Sequence, residues 1–351
     1  MEEVDRNERA KDYDGGSCKA LMKRMLDPVQ SRDDDSRDLY DVATWEVRSR
    51  LDRLSVVVYR GAALLTRLVV VLLAVLILLA QFAYGALGAL AAPTVGVFTL
   101  LSLVPALVLA GYVYITDVTT SEPLELLVGT YLLGVLFAGF AGIANSAAGV
   151  GTDTSVLLLV PLFYLVVGPV EETVKWLAIR LYAFRSDRFD AVIDGAVYGA
   201  VAGLGFASIE NALYITQEVS NPAFANIIGA GSGITFSRAL AGPGHVIYSA
   251  FAGYYLGLAK FNREHAGPIA VKGLLIAAFI HATYNVLVGV IPSLATGLLP
   301  LSPLVATVGF VAVYDGVLVV LLLRKLGRYH SAYLSSHSEE RAATETRTDR
   351  D

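Results

Sequence analysis

Apolar runs, each long enough to cross the hydrocarbon core of a bilayer as a helix of about 20 residues, recur along most of this 351-residue chain. They fall near residues 62–90, 95–115, 124–148, 156–184, 190–215, 235–260, 269–291 and 303–323. Hydrocarbon offers a peptide group no hydrogen-bond partner, so each run must satisfy its own backbone, which a helix does. The expected fold is therefore all-α: a polytopic transmembrane helix bundle of about eight spans, with flexible polar N- and C-terminal tails. Composition agrees, with a mean hydropathy of +0.58 and 17% charged residues, where soluble domains carry about 25%.

Five segments follow from this pattern. Residues 1–60 read as a polar tail whose juxtamembrane part, near Trp45 to Tyr59, is amphipathic and suited to the membrane surface. Residues 61–150 hold three spans, 151–292 hold the polar motifs described below, and 293–326 hold the last span. Residues 327–351, rich in Arg, Thr and Glu, read as disordered. The formal charge of -5 and the lack of a basic stripe give no reason to expect a nucleic-acid partner. Cys18 is the only cysteine, which excludes an intramolecular disulfide and cysteine-rich metal sites, so a metal would need His and carboxylate ligands. No cleavable leader is apparent, and the first span is expected to serve for targeting.

Positive residues set the orientation. Arg180, Arg185 and Arg188 follow the fourth run, Lys260 and Arg263 the sixth, and Arg324, Lys325 and Arg328 the eighth, so these sides are expected to be cytoplasmic. Connections near Pro93, Asp153, Glu218 and Pro292 carry no Lys or Arg and suit the opposite face. The result is a multi-pass protein of the plasma membrane with both termini in the cytoplasm. The connection from Thr116 to Pro123 is placed on the cytoplasmic side by counting alone, since it carries no positive residue.

Charge inside these runs marks the candidate chemistry. Glu171 and Glu172 lie within Val-Gly-Pro-Val-Glu-Glu-Thr-Val-Lys, where ionised carboxylates are costly and usually functional. Pro169 lacks an amide proton, so it can kink the helix and make room for water. Neighbouring helical residues point about 100° apart, so the two glutamates cannot share one task. Lys175 follows them by four and three residues and can neutralise whichever turns its way. Glu210 lies one turn after Phe206 with Asn211 beside it, and is shallower than the rest if its helix ends near residue 215. His245 follows Gly-Pro-Gly, and His281 shares a helix face with Asn285, four residues on. At about 1.5 Å per residue, His245 and His281 lie roughly 15 Å and Glu171 roughly 20 Å below the outer helix ends, so they can meet in the outer half of the membrane. Asp194, near the cytoplasmic end of its span, is expected to face water or headgroups. Each of these residues also has a plain reading, as an ion pair or packing hydrogen bond between helices.

Glu-Glu-x-x-Lys at 171–175, Phe-x-x-x-Glu at 206–210, His245 near the start of a later span and His-x-x-x-Asn at 281–285 together resemble the PrsW-type intramembrane proteases. The resemblance covers roughly residues 155–292 and extends more distantly to the CaaX prenyl protease and bacteriocin-processing superfamily, whose pattern has His where this chain has Glu210. It implies an intramembrane endopeptidase acting on membrane-anchored protein substrates, such as anti-sigma factors, with membrane lipid around it. Glu171 or Glu172 would activate water, His245 and His281 would orient it or bind metal, and Asn285 would stabilise the oxyanion. Two chemistries stay open. In one, His245, His281 and a carboxylate hold Zn²⁺ while another glutamate is the base. In the other, a desolvated glutamate takes the proton of water without metal. The rival class is a proton- or ion-coupled transporter using the same buried Glu and His residues, against which stands the absence of a duplicated half.

Overall fold

The computed structural model describes Asp38 and residues 46–91, 93–117, 119, 121–150, 155–219 and 227–348. Among these, regular structure is helical throughout: α1 Arg50–Ala91, α2 Pro93–Ile115, α3 Leu124–Ala147, α4 Val156–Leu162, a π-helical stretch Phe163–Val167, α5 Gly168–Leu181, α6 Val192–Val219, α7 Ile227–Phe261, α8 Ala266–Leu298 and α9 Pro303–Thr348. Six described stretches are long and apolar enough to cross a membrane, namely those of α2, α3, α4 to α5, α6, α8 and α9. The other two expected spans, 62–90 and 235–260, lie within α1 and α7. Trp45 and the Asp153 connection fall outside the described residues.

The chain divides into two units, Met1–Leu73 and Ala74–Asp351. In the first, a reciprocal cap starts α1. Asp52 N–H donates to Ser49 Oγ at 3.0 Å, and Ser49 N–H donates back to Asp52 Oδ2 at 2.6 Å, which satisfies two amides that an open helix end would leave free.

In the second unit α6 is the central helix. Of its apolar window 83% is buried, against 22–39% for the other five stretches. Glycines at every fourth position explain why. Gly195, Gly199 and Gly203 form one stripe on α6, and a methyl group on any of them would collide with the α7 carbonyl of Gly253, Ser249 or His245. Small residues at this spacing let two membrane helices touch backbone to backbone. On other faces α6 packs against α2, α3 and α5, while α8 packs against α5, α7 and α9. The outward surface carries exposed Leu100, Leu157, Leu165 and Val313, an apolar coat suited to lipid.

The basic segments converge at one end. Lys260 Nζ donates to the carbonyls of Phe184 and Ser186, and Lys325 lies over the rings of Tyr254 and Tyr255. The α2–α3 connection lies at the same end, where Arg188 Nη2 donates to the Ser121 carbonyl at 3.5 Å and Tyr198 OH donates to Glu122 Oε2. The positive charge that this connection lacks thus stands beside it.

Three boundaries differ from expectation. Pro292 lies inside α8, and the chain reverses at 299–302 instead. α6 runs to Val219, past the expected end at 215. α9 continues to Thr348, where disorder was expected from 327; once a long helix is nucleated, each added Ala, Glu or Arg extends it at little cost.

Candidate active site

Local backbone brings Glu171 and Glu172 to the bundle interior. Pro169 has no N–H for the usual bond four residues back, and the turn before it is widened, with Gly168 N–H reaching the Phe163 carbonyl. Gly168 also lets α5 approach α8: a Cβ there would stand 2.6 Å from the Ala278 carbonyl oxygen. One turn along α8 from that contact is His281.

The two glutamates then separate in role. Glu172 is fully buried and fully engaged. Its Oε1 accepts from Lys175 Nζ at 2.6 Å and pairs with His281 Nδ1 at 2.8 Å, while Ser249 Oγ donates to Oε2 at 3.5 Å. Glu171 accepts from Asn145 Nδ2 at 3.0 Å through Oε1, and its Oε2 is buried with no hydrogen-bond partner among the described residues. That free oxygen stands 3.7 Å from His281 Nε2 and 4.0 Å from Lys175 Nζ. Because Glu172 accepts at Nδ1–H, His281 keeps its Nε2 lone pair for the site.

His245 is held from both sides. Lys175 is a pure donor, so its 2.9 Å contact makes Nδ1 of His245 an acceptor and leaves Nε2–H to donate to Glu210 Oε2 at 2.7 Å. Glu210 in turn pairs with Arg238 Nη2 at 2.6 Å, and Arg238 Nε donates to Asn211 Oδ1 at 2.8 Å. Glu210 thus stands at the depth of the histidine, with α6 running past it to Val219. Phe206 backs the cluster, lying 4.2 Å from Lys175 Nζ and 5.3 Å from the His245 ring. Asn285, half-buried one turn beyond His281, takes no part in this hydrogen-bond network. By helical rise Glu210, His245 and His281 lie about 22–27 Å from the basic end of their helices, toward the other membrane face.

Glu171, His245 and His281 each offer one ligand atom within 4.8 Å of the others. Two imidazoles and a carboxylate suit zinc, and the orphaned Glu171 Oε2 and open His281 Nε2 fit such a use. His245 joins them only by giving up its bond to Lys175 or to Glu210. A cavity of about 520 Å³ between α2, α3 and α6 is lined by leucines, valines, Tyr131 and Ser208 and contains none of these residues; it is not the site.

Sequence reasoning missed Arg238, Asn145, Ser249 and Tyr248, whose ring centre lies 5.2 Å from that of His281. Arg238 had a signal, an arginine in an apolar run seven residues, or two turns, before His245. The other three look like ordinary polar residues in a span. Asp194 corrects an expectation, being fully buried rather than facing water. It receives the amides of Asp190 and Ala191 ahead of α6, a local use that burial favours.

The model of the PrsW family of intramembrane metalloproteases matches residues 122–317, more than half of the chain. The chain belongs to the PrsW family. Proteins named Protease PrsW are 28% identical in Geobacillus kaustophilus and 30% identical in Halalkalibacterium halodurans. The first match covers 54% of this chain and 79% of the relative, the second 54% and 82%. The Bacillus subtilis protein of that name is 28% identical, with 52% and 78% covered. No solved structure matches. The chain is accordingly a membrane-embedded peptidase, and the carrier reading finds no support. The PrsW match extends beyond residues 155–292 at both ends and takes in α3, with Asn145.

Proposed function

We propose that this PrsW member hydrolyses a peptide bond of a membrane-anchored protein inside the bundle, with water activated between Glu171 and His281. The observation that carries this is the asymmetry of the glutamate pair: Glu172 is saturated by Lys175, His281 and Ser249, while Glu171 Oε2 has no hydrogen-bond partner among the described residues and stands 3.7 Å from His281 Nε2. In the first step Glu171 Oε2 takes a proton from water as the oxygen attacks the carbonyl carbon. The same carboxyl then gives that proton to the leaving nitrogen as the C–N bond breaks. His281 orients the water through Nε2, and Glu172 fixes the ring by accepting at Nδ1. Lys175 supplies positive charge within 4.0 Å of Glu171 and links Glu172 to His245. Asn285, one turn from His281 and outside the network, is the amide donor for the developing oxyanion.

A second reading is favoured by the three-donor set and the family's description. Glu171, His245 and His281 would hold zinc, which supplies Lewis-acid polarisation and an acidified water. Glu171 Oε2 serves as ligand or as base, not both, and metal content decides between them. The basic end, with Arg185, Lys260 and Lys325, is the cytoplasmic face of the plasma membrane, so the site lies toward the outer leaflet.

The test uses pure protein in liposomes with a single-pass helical substrate. Cleavage is expected, with sharp loss in Glu171→Ala and His281→Ala at unchanged expression. Intact substrate with the wild-type protein refutes the proposal.

A further inference from the structure

A second group of acids lies at the opposite end of α6 from Glu210, 16 residues or about 24 Å away along the helix. Asp117 and Glu122 come from the α2–α3 connection and Asp194 from the first turn of α6, and one carboxylate oxygen of each lies within 4.8 Å of the others. Each acid anchors itself through one oxygen. Asp117 Oδ1 accepts from Thr119 N–H and Oγ1 at 2.9 and 2.8 Å, Glu122 Oε2 accepts from Tyr198 OH, and Asp194 Oδ2 accepts from the amides of Asp190 and Ala191.

The other oxygens are unfilled. Asp117 Oδ2 and Glu122 Oε1 are buried without a hydrogen-bond partner among the described residues, and Asp194 Oδ1 has only Thr119 Oγ1 at 3.4 Å. Glu122 is 5% exposed and Asp194 is fully buried. The nearby cations are committed elsewhere, Arg188 to the Ser121 carbonyl and Lys260 to the carbonyls of Phe184 and Ser186. Two buried acids and the half-buried Asp117, with no ion pair among the described residues, therefore bring carboxylate oxygens together in one place.

We propose that Asp117, Glu122 and Asp194 form a binding site for a hard divalent cation, calcium in preference to magnesium, that ties the α2–α3 connection to the start of α6. The donors are all oxygen, with no imidazole or thiolate, which selects against zinc. Calcium takes six to eight oxygens at about 2.3–2.6 Å in flexible geometry and so accepts an irregular carboxylate set, whereas magnesium demands a near-ideal octahedron at about 2.1 Å. Burial, chiefly, with the neighbouring Asp194 and Asp117 charges pushes the Glu122 carboxyl up to about 8, against the opposing Tyr198 hydrogen bond; a cation relieves that penalty. This site is independent of the hydrolytic one and leaves Glu171, His245 and His281 untouched.

The experiment uses the full chain in detergent, with calcium and magnesium added separately. Asp194 is left intact because it receives the amides preceding α6. Equilibrium dialysis with tracer calcium is expected to show one ion per chain on the wild type, lost in Asp117→Asn and Glu122→Gln. Calcium should raise the unfolding midpoint more than magnesium does. Terbium in place of calcium should luminesce on excitation of tyrosine, Tyr198 donating to Glu122 beside the site, and calcium should quench it; Tyr198→Phe should weaken the emission while keeping tracer binding. This arm needs no acid variant to fold. Equal calcium binding by wild type and both variants, or no binding and no luminescence at millimolar ion, overturns the proposal.

Discussion

Replacing each member of the glutamate pair by glutamine separates chemistry from stability. Glu171→Gln keeps an oxygen to accept from Asn145 Nδ2 and changes a carboxylate whose other oxygen makes no hydrogen bond among the described residues. Removing a general base typically costs about 10²- to 10⁴-fold in rate, or roughly 3–5 kcal/mol of transition-state stabilisation at 1.36 kcal/mol per decade. kcat should fall by that factor with KM and unfolding midpoint nearly unchanged. Glu172→Gln is different, because Lys175 Nζ loses its 2.6 Å carboxylate partner and the next nearest, Glu171 Oε2, is 4.0 Å away. Breaking a buried pair on one side costs about 3–5 kcal/mol, so the unfolding midpoint should drop by several degrees and folded yield should fall. Converting both partners, Glu172→Met with Lys175→Met, should recover much of that stability without activity, since no charge is then stranded. The assays are initial cleavage rates in liposomes and thermal unfolding followed by the fluorescence of Trp176. A stable, inactive Glu172→Gln beside an unstable Glu171→Gln would reverse the roles and refute the reasoning.

Arg238→Leu leaves Glu210 with His245 as its one partner among the described residues, and cleavage should fall at least tenfold while Arg238→Lys, able to make one bond but not reach Asn211 as well, recovers part of it. Gly199→Leu should abolish folded protein, because its side chain meets the Ser249 backbone, whereas Gly233→Ala, with nothing nearby, should behave as wild type in size-exclusion chromatography. Zinc removal by a chelator should abolish cleavage, and zinc should restore it, if Glu171 is a ligand; full turnover by stripped protein, checked by elemental analysis, rules that use out and leaves Glu171 as base.

Span length and apolarity were enough to read the helical architecture, because in hydrocarbon they leave the backbone little choice. The charged pair at 171–172 and His281, which the structure brings together, stood out for the same reason, being costly where they stand, whereas Asn285 lies outside their network. Arg238 escaped because positive residues were read as markers of loops, and its partners come from α6, in a pairing no local pattern encodes. Asp194 was misplaced because its position near a helix end said nothing of the α2–α3 connection that covers it. The glycines at 195, 199 and 203 weaken a helix when taken singly; their common spacing, which sequence reasoning passed over, makes a contact face.

That stripe also limits how the enzyme can move. Helices with their main chains in contact have no slack to slide or part, so Glu210 and His245, carried on α6 and α7, act as a fixed jaw. The widened turn at Phe163–Val167 stands on the opposing side, directly ahead of Glu171. Its hydrogen bonds reach five residues back instead of four, so the irregular backbone of this bundle lies in the chain segment that carries Glu171, across from the pair that the glycines lock together.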